Sequence, residues 1–397
     1  MSKPNLRSLS PLDFTKLLPK RNEVIDNSKA DKLPSLDSYK ANAIAKALHP
    51  SYQELVISDI KQENDDIKTY KLCRADGQLP AYFSAGQYLA IAIDIEGKRY
   101  SRPYSLSSSP KNSLEGFYNI TVKRANGGLV SNYILDNLKV GNHLFTSAPL
   151  GNFTYEPLRD AKHVIGIAGG NGITPFRSLA NAIKDGDEDC SLTLLYGTKS
   201  LKDATFQDEL KEIEKQCPRF KLINVLSEEK LDGYESGFIT ADLIKKYAND
   251  EEYSLFICGP QAMYNFLDEE IKKLNIRRKF IRHEVFGELI NPSSQPDYIK
   301  PDANEYNVTV IVQDKKYEIK ASVDVSLLVS MEKAGINVPN DCRSGVCGWC
   351  HSQLKAGKVY TPKNLDGRRQ ADIKYGYIHP CVAFPLSDLV IDVPLGK

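Results

Sequence analysis

The stretch Asp341-Cys342-Arg343-Ser344-Gly345-Val346-Cys347-Gly348-Trp349-Cys350, followed after thirty residues by Cys381, decides the fold of the C-terminal part of the chain. The spacing Cys-x4-Cys-x2-Cys with a distant fourth cysteine is typical of the ligands of a plant-type [2Fe–2S] cluster. Three thiolates must reach iron from one loop, and Gly345 and Gly348 allow its backbone to approach the sulfurs. Structural zinc and ordinary buried thiols are the alternatives, but zinc sites more often pair two short Cys-x2-4-Cys units, and this chain has one. We therefore predict that the cluster is ligated by Cys342, Cys347, Cys350 and Cys381.

Length and composition restrict the remaining possibilities. With 397 residues the chain is long enough for two or three domains, and its 41% hydrophobic and 26% charged residues are ordinary for a globular protein. A net charge of +1 gives no field that would recruit nucleic acid or an anionic membrane. No apolar run is long enough for membrane insertion, and the N-terminus lacks the apolar core of a secretory signal. The other four cysteines are scattered, so we expect a reducing, cytoplasmic location and no disulfide framework.

The hydrophobic pattern changes several times along the chain. Short alternating runs separated by turn residues predict a small antiparallel β-barrel first, and strands alternating with helices then predict a doubly wound parallel α/β domain. A segment rich in proline and serine follows, which favours an extended tether, and then a hairpin, a short helix and the cysteine loop. The fold class is therefore multi-domain α/β and all-β. The predicted boundaries are 1–51 (N-terminal extension, with a helix over Tyr39 to Leu48), 52–156 (barrel), 157–287 (α/β domain), 288–304 (linker) and 305–397 (cysteine-loop domain).

Two motifs in the predicted barrel carry residue types that suit a flavin nucleotide. Arg102-Pro103-Tyr104-Ser105 directly follows a predicted strand, and Gly127-Gly128-Leu129-Val130-Ser131 lies downstream. Arg102 offers a charged planar fork for phosphate, Tyr104 can stack on a flat ring, and the Ser105 hydroxyl can donate a hydrogen bond. Gly127 and Gly128 would let backbone amides approach a pyrophosphate before a helix N-terminus. Taken singly, each motif is weak, because an arginine on a strand is usually solvated and a pair of glycines is usually an ordinary turn.

Two segments of the predicted α/β domain suit a dinucleotide. Gly169-Gly170-Asn171-Gly172-Ile173-Thr174-Pro175 follows a buried strand and opens a helix, so its glycines could bring a pyrophosphate to the helix N-terminus. Cys258-Gly259-Pro260 ends a later strand at the same edge of the sheet, where open α/β folds bind ligands. By itself Cys258 would be read as a small buried hydrophobe. No acidic residue follows the second strand to bind a ribose 2′-hydroxyl, and Lys199 could equally meet a 2′-phosphate or be solvated, so NADH and NADPH both stay open.

The ordered set of motifs over residues 52–397 resembles the ferredoxin–NADP⁺ reductase superfamily with a C-terminal plant-type [2Fe–2S] ferredoxin domain of β-grasp fold. The order of domains is similar to that of the reductase components of phenylacetyl-CoA epoxidase and the reductase of hybrid-cluster protein. The resemblance implies FAD more often than FMN, held by Arg102, Tyr104 and Ser105, with Gly127, Gly128 and Ser131 at the pyrophosphate. It also implies NAD(P)H at Gly169, Gly170, Gly172, Thr174 and Pro175, with Cys258, Gly259 and Pro260 near the nicotinamide. Catalytic roles are implied for Ser105, Tyr104 and Cys258.

The predicted activity is an NAD(P)H oxidoreductase for electron transport. Hydride would pass from NAD(P)H to the flavin, and single electrons would pass to the cluster and on to a partner redox enzyme, either an oxygenase or an oxygen-independent acceptor. Two alternatives stay open. One is reverse flow from reduced ferredoxin to NAD(P)⁺, and the other is a redox-sensing module whose cluster state controls partner binding through residues 1–50.

Overall fold

The computed structural model describes residues 11–27, 39–249, 251–285 and 287–394 of the chain. It divides the chain into two units, Met1–His49 and Pro50–Lys397. The first unit contains helices α1 (Pro11–Asn27) and α2 (Lys40–Leu48), and α2 confirms the helix predicted at this place. Within the described ranges, no helix has both the length and the apolar character needed to cross a bilayer.

The second unit begins with a six-stranded antiparallel sheet that curls into a barrel. Its strands are β1 (Tyr52–Asn64), β2 (Ile67–Arg74), β3 (Tyr88–Ile95), β4 (Lys98–Ser105), β5 (Phe117–Lys123) and β6 (His143–Ser147), in the order β4-β3-β6-β1-β2-β5. Helices α3 (Lys111–Leu114) and α4 (Leu129–Asn137) flank β5. Alternate side chains such as Leu55, Ile57 and Leu72 point into one buried core, as the alternating pattern predicts. An antiparallel bridge from Leu106 to Ile120 brings the two ends of the sheet together.

The first flavin motif lies inside a strand and not directly after one, which corrects the sequence prediction. Residues 102–105 form the second half of β4, where Arg102 pairs with Ile91 and Ser105 pairs with Tyr88. Pro103 makes this strand hard to predict from sequence, because proline has no backbone N–H to donate to a neighbouring strand. The strand tolerates Pro103 because β4 is at the end of the strand order and needs hydrogen bonds on only one side.

The middle of the unit is a parallel sheet covered by helices on both faces. Its strands are β7 (His163–Gly169), β8 (Ser191–Thr198), β9 (Phe220–Leu226), β10 (Glu235–Ser236), β11 (Tyr253–Gly259) and β12 (Ile281–Val285), in the order β10-β9-β8-β7-β11-β12. Its helices are α5 (Thr174–Asp185), α6 (Gln207–Gln216), α7 (Ala241–Ala248) and α8 (Gln261–Lys272). One buried cluster joins α5 and α6 to the sheet, and a second joins α7 and α8 to the other face. The strand order reverses between β7 and β11, so the carboxyl ends of these two strands flank the switch point.

The C-terminal part is a mixed sheet that packs against one helix, in a β-grasp arrangement. Strands β13 (Glu305–Val312), β14 (Lys315–Ser322), β15 (Ser352–Ala356), β17 (Tyr377–Ile378) and β19 (Leu389–Val393) form the sheet, in the order β14-β13-β19-β15-β17. Strands β16 (Val359–Tyr360) and β18 (Phe384–Pro385) form a separate pair, and helix α10 spans Gln370–Lys374. Helix α9 (Leu327–Lys333) buries Leu327, Leu328 and Met331 against the sheet. Ser326 caps its first turn, and Gly335 follows its end with a φ of 77°.

Residues 288–304 are not the extended tether that their proline and serine content predicts. Leu289 is buried with Tyr360 and Phe384 of the last domain. The Asp297 carboxylate accepts hydrogen bonds from the Tyr360 hydroxyl at 3.1 Å and the Lys363 backbone N–H at 3.0 Å. The polar composition predicts a solvated tether, but these polar groups form hydrogen bonds with the neighbouring domain and not with water. The segment is therefore folded onto the cysteine-loop domain.

Candidate functional site: three cofactor regions that meet

The cysteine loop takes its shape from residues in the left-handed region of backbone space. Arg343, Gly345 and Gly348 have φ values of 57°, 81° and 71°. A Cβ on Gly345 would overlap the Leu365 carbonyl oxygen and come within 2.9 Å of the Val382 side chain. Only glycine fits at this position, because the loop backbone packs closely against Leu365 and Val382.

The four predicted ligand cysteines converge as two contacting pairs. The Sγ atoms of Cys350 and Cys381 are 3.4 Å apart, too far for a disulfide, and Cys342 contacts Cys347. The Cys347 thiol, and then the backbone N–H groups of Cys347 and Ser344, donate to Cys342 and lower the pKa of its thiol below the ordinary value. Among the described residues, no three His, Cys, Asp or Glu side chains meet closely enough for a single metal ion. Two pairs of thiols suit a two-iron cluster, in which each iron takes two cysteines.

The Ser105 hydroxyl is the feature of the barrel that best fits a bound flavin. Its Oγ atom is buried and has no hydrogen-bond partner among the described residues, which is costly unless a ligand supplies one. Tyr104 packs against the barrel core, and burial raises the pKa of its hydroxyl, so it is a neutral ring at neutral pH. The predicted roles of both residues are therefore compatible with where they lie.

Arg102 is engaged by protein groups. Its guanidinium lies 3.0 Å from Glu288 and 3.4 Å from Glu332, and it also donates to the Ser101 carbonyl at 2.8 Å. The side chain keeps 20% of its surface exposed. Its predicted role at the flavin phosphate stays a prediction.

The second flavin motif forms the start of α4, as predicted. Gly127 has a φ of 68° and Gly128 is the residue that precedes the helix, whose first turn has no side-chain cap. A Cβ on Gly128 would lie 2.6 Å from the Ser131 Oγ and 2.8 Å from the Ala125 Cβ, so a larger residue at this position would force the turn to shift. The uncapped N–H groups suit a pyrophosphate.

The glycine turn of the parallel sheet contacts the end of β11 directly. A Cβ on Gly172 would overlap the Cys258 carbonyl oxygen and lie 2.8 Å from the Gly259 nitrogen. A Cβ on Gly169 would lie 2.9 Å from Pro260. Gly170 has a φ of 51°, and Thr174 and Pro175 form the first turn of α5. The structure thus brings the two predicted nicotinamide segments together at the switch point.

Asn171 joins this turn to the flavin barrel. Its Nδ2 donates to the Thr121 carbonyl of β5 at 3.2 Å, while its Oδ1 is buried without a partner among the described residues. Strand β5 also leads into the Gly127 turn. The flavin and nicotinamide segments are therefore both attached to one strand.

The Cys258 thiol is fully buried and neutral. Burial, and then the Glu284 carboxyl opposite it in β12, raise its pKa well above the ordinary value. Loss of water around Glu284, with a smaller contribution from Cys342, raises the pKa of that carboxyl to about 8. Cys258 is therefore no nucleophile, which suits a residue that only packs near a nicotinamide. Glu284 lies within electrostatic range of both Cys258 and the predicted cluster ligand Cys342.

Tyr88 links the flavin motif to the cluster cysteines, as Glu284 links Cys258 to them. It is the cross-strand partner of Ser105, and it is 4% exposed. Burial, and then the charges of Cys342, Cys347 and Glu284, raise the pKa of its hydroxyl. The three cofactor regions therefore meet around Tyr88 and Glu284.

Lys199 is paired with an acidic residue. Its Nζ lies 2.9 Å from Glu228, and both side chains are exposed, at 71% and 62%. The pair joins the ends of β8 and β9, next to the place where a ribose would lie in this fold.

Sequence reasoning missed Tyr88, Glu284 and the role of Arg343. Tyr88 and Glu284 lie in β3 and β12, and neither carries a sequence pattern that distinguishes it from an ordinary strand residue. Arg343 stands inside the quoted cysteine loop, and an arginine between cluster ligands and glycines was the one available signal.

Comparison with known proteins covers the same three regions. The chain matches the oxidoreductase FAD-binding domain family over residues 54–155, the oxidoreductase NAD-binding domain family over 167–269, and the 2Fe-2S iron-sulfur cluster binding domain family over 310–386. The last match decides between cluster and zinc in favour of the cluster.

Several relatives match over most of their length. The ferredoxin reductase component of 3-ketosteroid-9-alpha-monooxygenase from Mycobacterium tuberculosis is 30% identical, with 85% of this chain and 94% of the relative covered. A component of 1,2-phenylacetyl-CoA epoxidase from Escherichia coli is 27% identical, with 86% and 98% covered.

Among solved structures, phthalate dioxygenase reductase has the same fold. It superimposes with a TM-score of 0.63 at 24% identity, covering 86% of this chain and 98% of its own. The chain is therefore a member of the ferredoxin–NADP⁺ reductase superfamily, an NAD(P)H oxidoreductase that carries FAD and a C-terminal [2Fe–2S] domain.

Proposed function

We propose that this chain is the reductase component of an oxygenase system and that it passes electrons from NAD(P)H to a separate oxygenase. One observation carries the proposal: Tyr88 and Glu284 link the three regions. Ser105 is the cross-strand partner of Tyr88, and Cys258 is the cross-strand partner of Glu284. Cys342 lies within electrostatic range of both Tyr88 and Glu284. An electron can therefore enter and leave within one chain. Two curated relatives are named as components of a monooxygenase and an epoxidase, which favours an oxygenase as the acceptor.

Each cofactor, and each residue that would bind it, has a separate role in the proposed electron transfer. When bound, FAD would accept a hydride and release single electrons, and the cluster would transfer single electrons at a potential of about −400 mV. Gly169 and Gly172 would admit the dinucleotide to the end of β7, against the Cys258 carbonyl. The Ser105 hydroxyl would donate to the hydride-accepting side of the flavin. Burial of Cys258 and Ser105 would keep water away from the transfer.

The acceptor would approach the exposed edge of the cysteine loop. Cys347 is the one ligand cysteine that is exposed, and the neighbouring Val346 and Trp349 are 67% and 42% exposed. A groove of about 380 Å³ lies beside this edge, lined in part by Trp349, Tyr52 and Phe145. An exposed apolar surface next to a cluster suits a transient protein partner.

An anaerobic titration tests the proposal. One equivalent of NADH or NADPH is added to the loaded protein, and flavin and cluster absorbance are followed together with the cluster signal in electron paramagnetic resonance. We expect the flavin to bleach first and the cluster second. A flavin that bleaches while the cluster never does would exclude this function and favour the redox-sensing alternative.

Cys347→Ser supplies the matched test of the cluster. We expect it to abolish reduction of one-electron acceptors such as cytochrome c and to spare hydride transfer to the flavin. The control is Cys73→Ser, because Cys73 is a half-exposed cysteine of the barrel. Cytochrome c reduction that survives Cys347→Ser would show that the four-cysteine assignment is wrong.

We further propose a cytoplasmic location and forward electron flow. All eight cysteines are free thiols in the described part of the chain, which suits a reducing compartment. The acceptor itself is identified by affinity capture of the reduced protein. An oxygenase component in the captured fraction supports the proposal, whereas a ferredoxin donor there would favour reverse flow.

A further inference from the structure

Four charged side chains from four parts of the chain form one compact group, which we call the four-charge cluster. Its members are Arg102 of β4, Glu288 after β12, Glu332 of α9 and Arg343 of the cysteine loop. Each carboxylate contacts both guanidinium groups: Glu288 lies 3.0 Å from Arg102 and 2.9 Å from the Nε of Arg343. Glu332 accepts from Arg343 at 2.7 and 2.8 Å and lies 3.4 Å from Arg102. Two positive and two negative charges therefore balance.

This group is buried, unlike most ion pairs of the chain. The side chains of Arg343 and Glu332 are 0% and 3% exposed, and those of Arg102 and Glu288 are 20% and 23% exposed. A surface pair contributes little to stability, but removal of one partner from a buried group leaves an uncompensated charge. The group therefore strongly favours the one arrangement of domains in which it can form.

Arg343 also fixes the backbone on both sides of the contact. Its guanidinium donates to the Ser101 carbonyl of β4 at 3.3 Å and to Asn340 Oδ1 at 3.0 Å. Its φ of 57° is unfavourable for an arginine and persists where the surroundings enforce it. The residue directly before it is the ligand Cys342. The cluster loop is thus attached to the strand that carries Tyr104 and Ser105.

We propose that Arg343 is a positioning residue for the transfer of electrons from flavin to cluster, acting through Glu288 and Glu332. By binding both carboxylates it holds the cysteine loop at a fixed place against β4. This inference rests on the proposed function, because it concerns the internal step of that function. We do not assign this role to Arg102, because a flavin phosphate would compete with Glu288 and Glu332 for its guanidinium. Arg343 would keep its contacts with both carboxylates.

The test is single-turnover kinetics on Glu288→Gln and Glu332→Gln, loaded with both cofactors and mixed anaerobically with NADH. Both changes keep the shape of the side chain, and neither residue is a predicted ligand of a cofactor. Flavin reduction should keep its wild-type rate, while cluster reduction should slow about tenfold or more. Glu332→Gln should have the larger effect, because Glu332 is more buried and binds Arg343 through both oxygens. Arg343→Lys, which keeps the charge but loses the fork, should fall between Glu332→Gln and wild type.

The matched control is Glu305→Gln, the same chemical change in an exposed pair of the same domain. Glu305 lies 2.7 Å from Lys320, with side chains 55% and 69% exposed, so its loss should change neither rate. Wild-type cluster reduction in both glutamine variants overturns the inference, and so does a parallel loss of flavin and cluster reduction. If the wild-type protein itself never reduces its cluster, the proposed function fails instead. The two failures are therefore distinguishable.

Discussion

Gly172→Ala tests the contact that forms the nicotinamide site. The added methyl group would overlap the Cys258 carbonyl oxygen and lie 2.5 Å from its carbonyl carbon, where ordinary contact begins at 3.4 Å. The obstacle is backbone on both sides, so the glycine turn and the end of β11 must separate by about 1 Å. The φ of Gly172 lies outside the left-handed region, so the effect is purely steric.

Two consequences follow for the Gly172→Ala protein. Overpacking of this kind costs about 1–3 kcal/mol of unfolding free energy. A displacement of about 1 Å at a reacting centre can cost about 100-fold in rate. We therefore expect kcat/KM for flavin reduction by NADH to fall about 100-fold, measured by anaerobic stopped-flow absorbance, together with a lower thermal midpoint.

Gly197→Ala is the control for this prediction. Gly197 pairs with Gly169 in the β7–β8 register, but a Cβ there would meet its nearest atoms at an ordinary 3.5 Å. We expect near-wild-type kinetics from it. The reasoning is refuted if Gly172→Ala reduces its flavin as fast as Gly197→Ala and melts at the same temperature.

Three further changes probe other parts of the chain. Ser105→Ala should slow flavin reduction about 10- to 100-fold, the value of a hydrogen bond to a charged group, and an unchanged rate would remove Ser105 from the site. Glu228→Gln should raise kcat/KM for NADPH about threefold and leave NADH unchanged, because the Glu228 carboxylate beside Lys199 repels a 2′-phosphate; equal effects on both nucleotides would contradict this. Burial, aided by Glu156 and Asp187, raises the pKa of Glu188 from 4.5 to about 7, so the folded state holds this proton more tightly than the unfolded one. The stability that protonated Glu188 contributes below pH 4.5 is therefore lost as the pH rises to 7. We expect the unfolding free energy to fall by about 1 kcal/mol over this range, after solvent screening. A series of thermal melts across this pH range should show the loss in the wild-type protein and not in Glu188→Gln.

The sequence predicted the order and type of the domains because their signals are local. The cysteine spacing, the change of hydrophobic period and the glycine turns each occupy a few adjacent residues. The boundary between strand and motif at Arg102 was predicted wrongly because Pro103 disguises an edge strand. The segment around Leu289 was also predicted wrongly, since its partners Tyr360 and Phe384 lie far along the chain.

The same limit explains why the four-charge cluster could not be predicted. Arg102 and Glu332 are 230 residues apart in sequence. The residues around each of them contain no pattern that predicts a contact with the other. Glu284 likewise gains its importance only from the register that places it opposite Cys258. Contacts of this kind depend on how the folded domains pack against each other, and the hydrophobic periodicity of the sequence does not predict that packing.

The folded segment 288–304 has a consequence for exchanging parts between reductases. A chimera that joins the first two domains of one protein to the ferredoxin domain of another would be cut at the apparent linker if sequence alone were the guide. In this chain such a cut would separate Leu289 and Asp297 from the surface they cover, and Glu288 from Arg343. The transplantable piece therefore begins before Glu288, and a foreign recipient needs an arginine at the place of Arg102 to receive it.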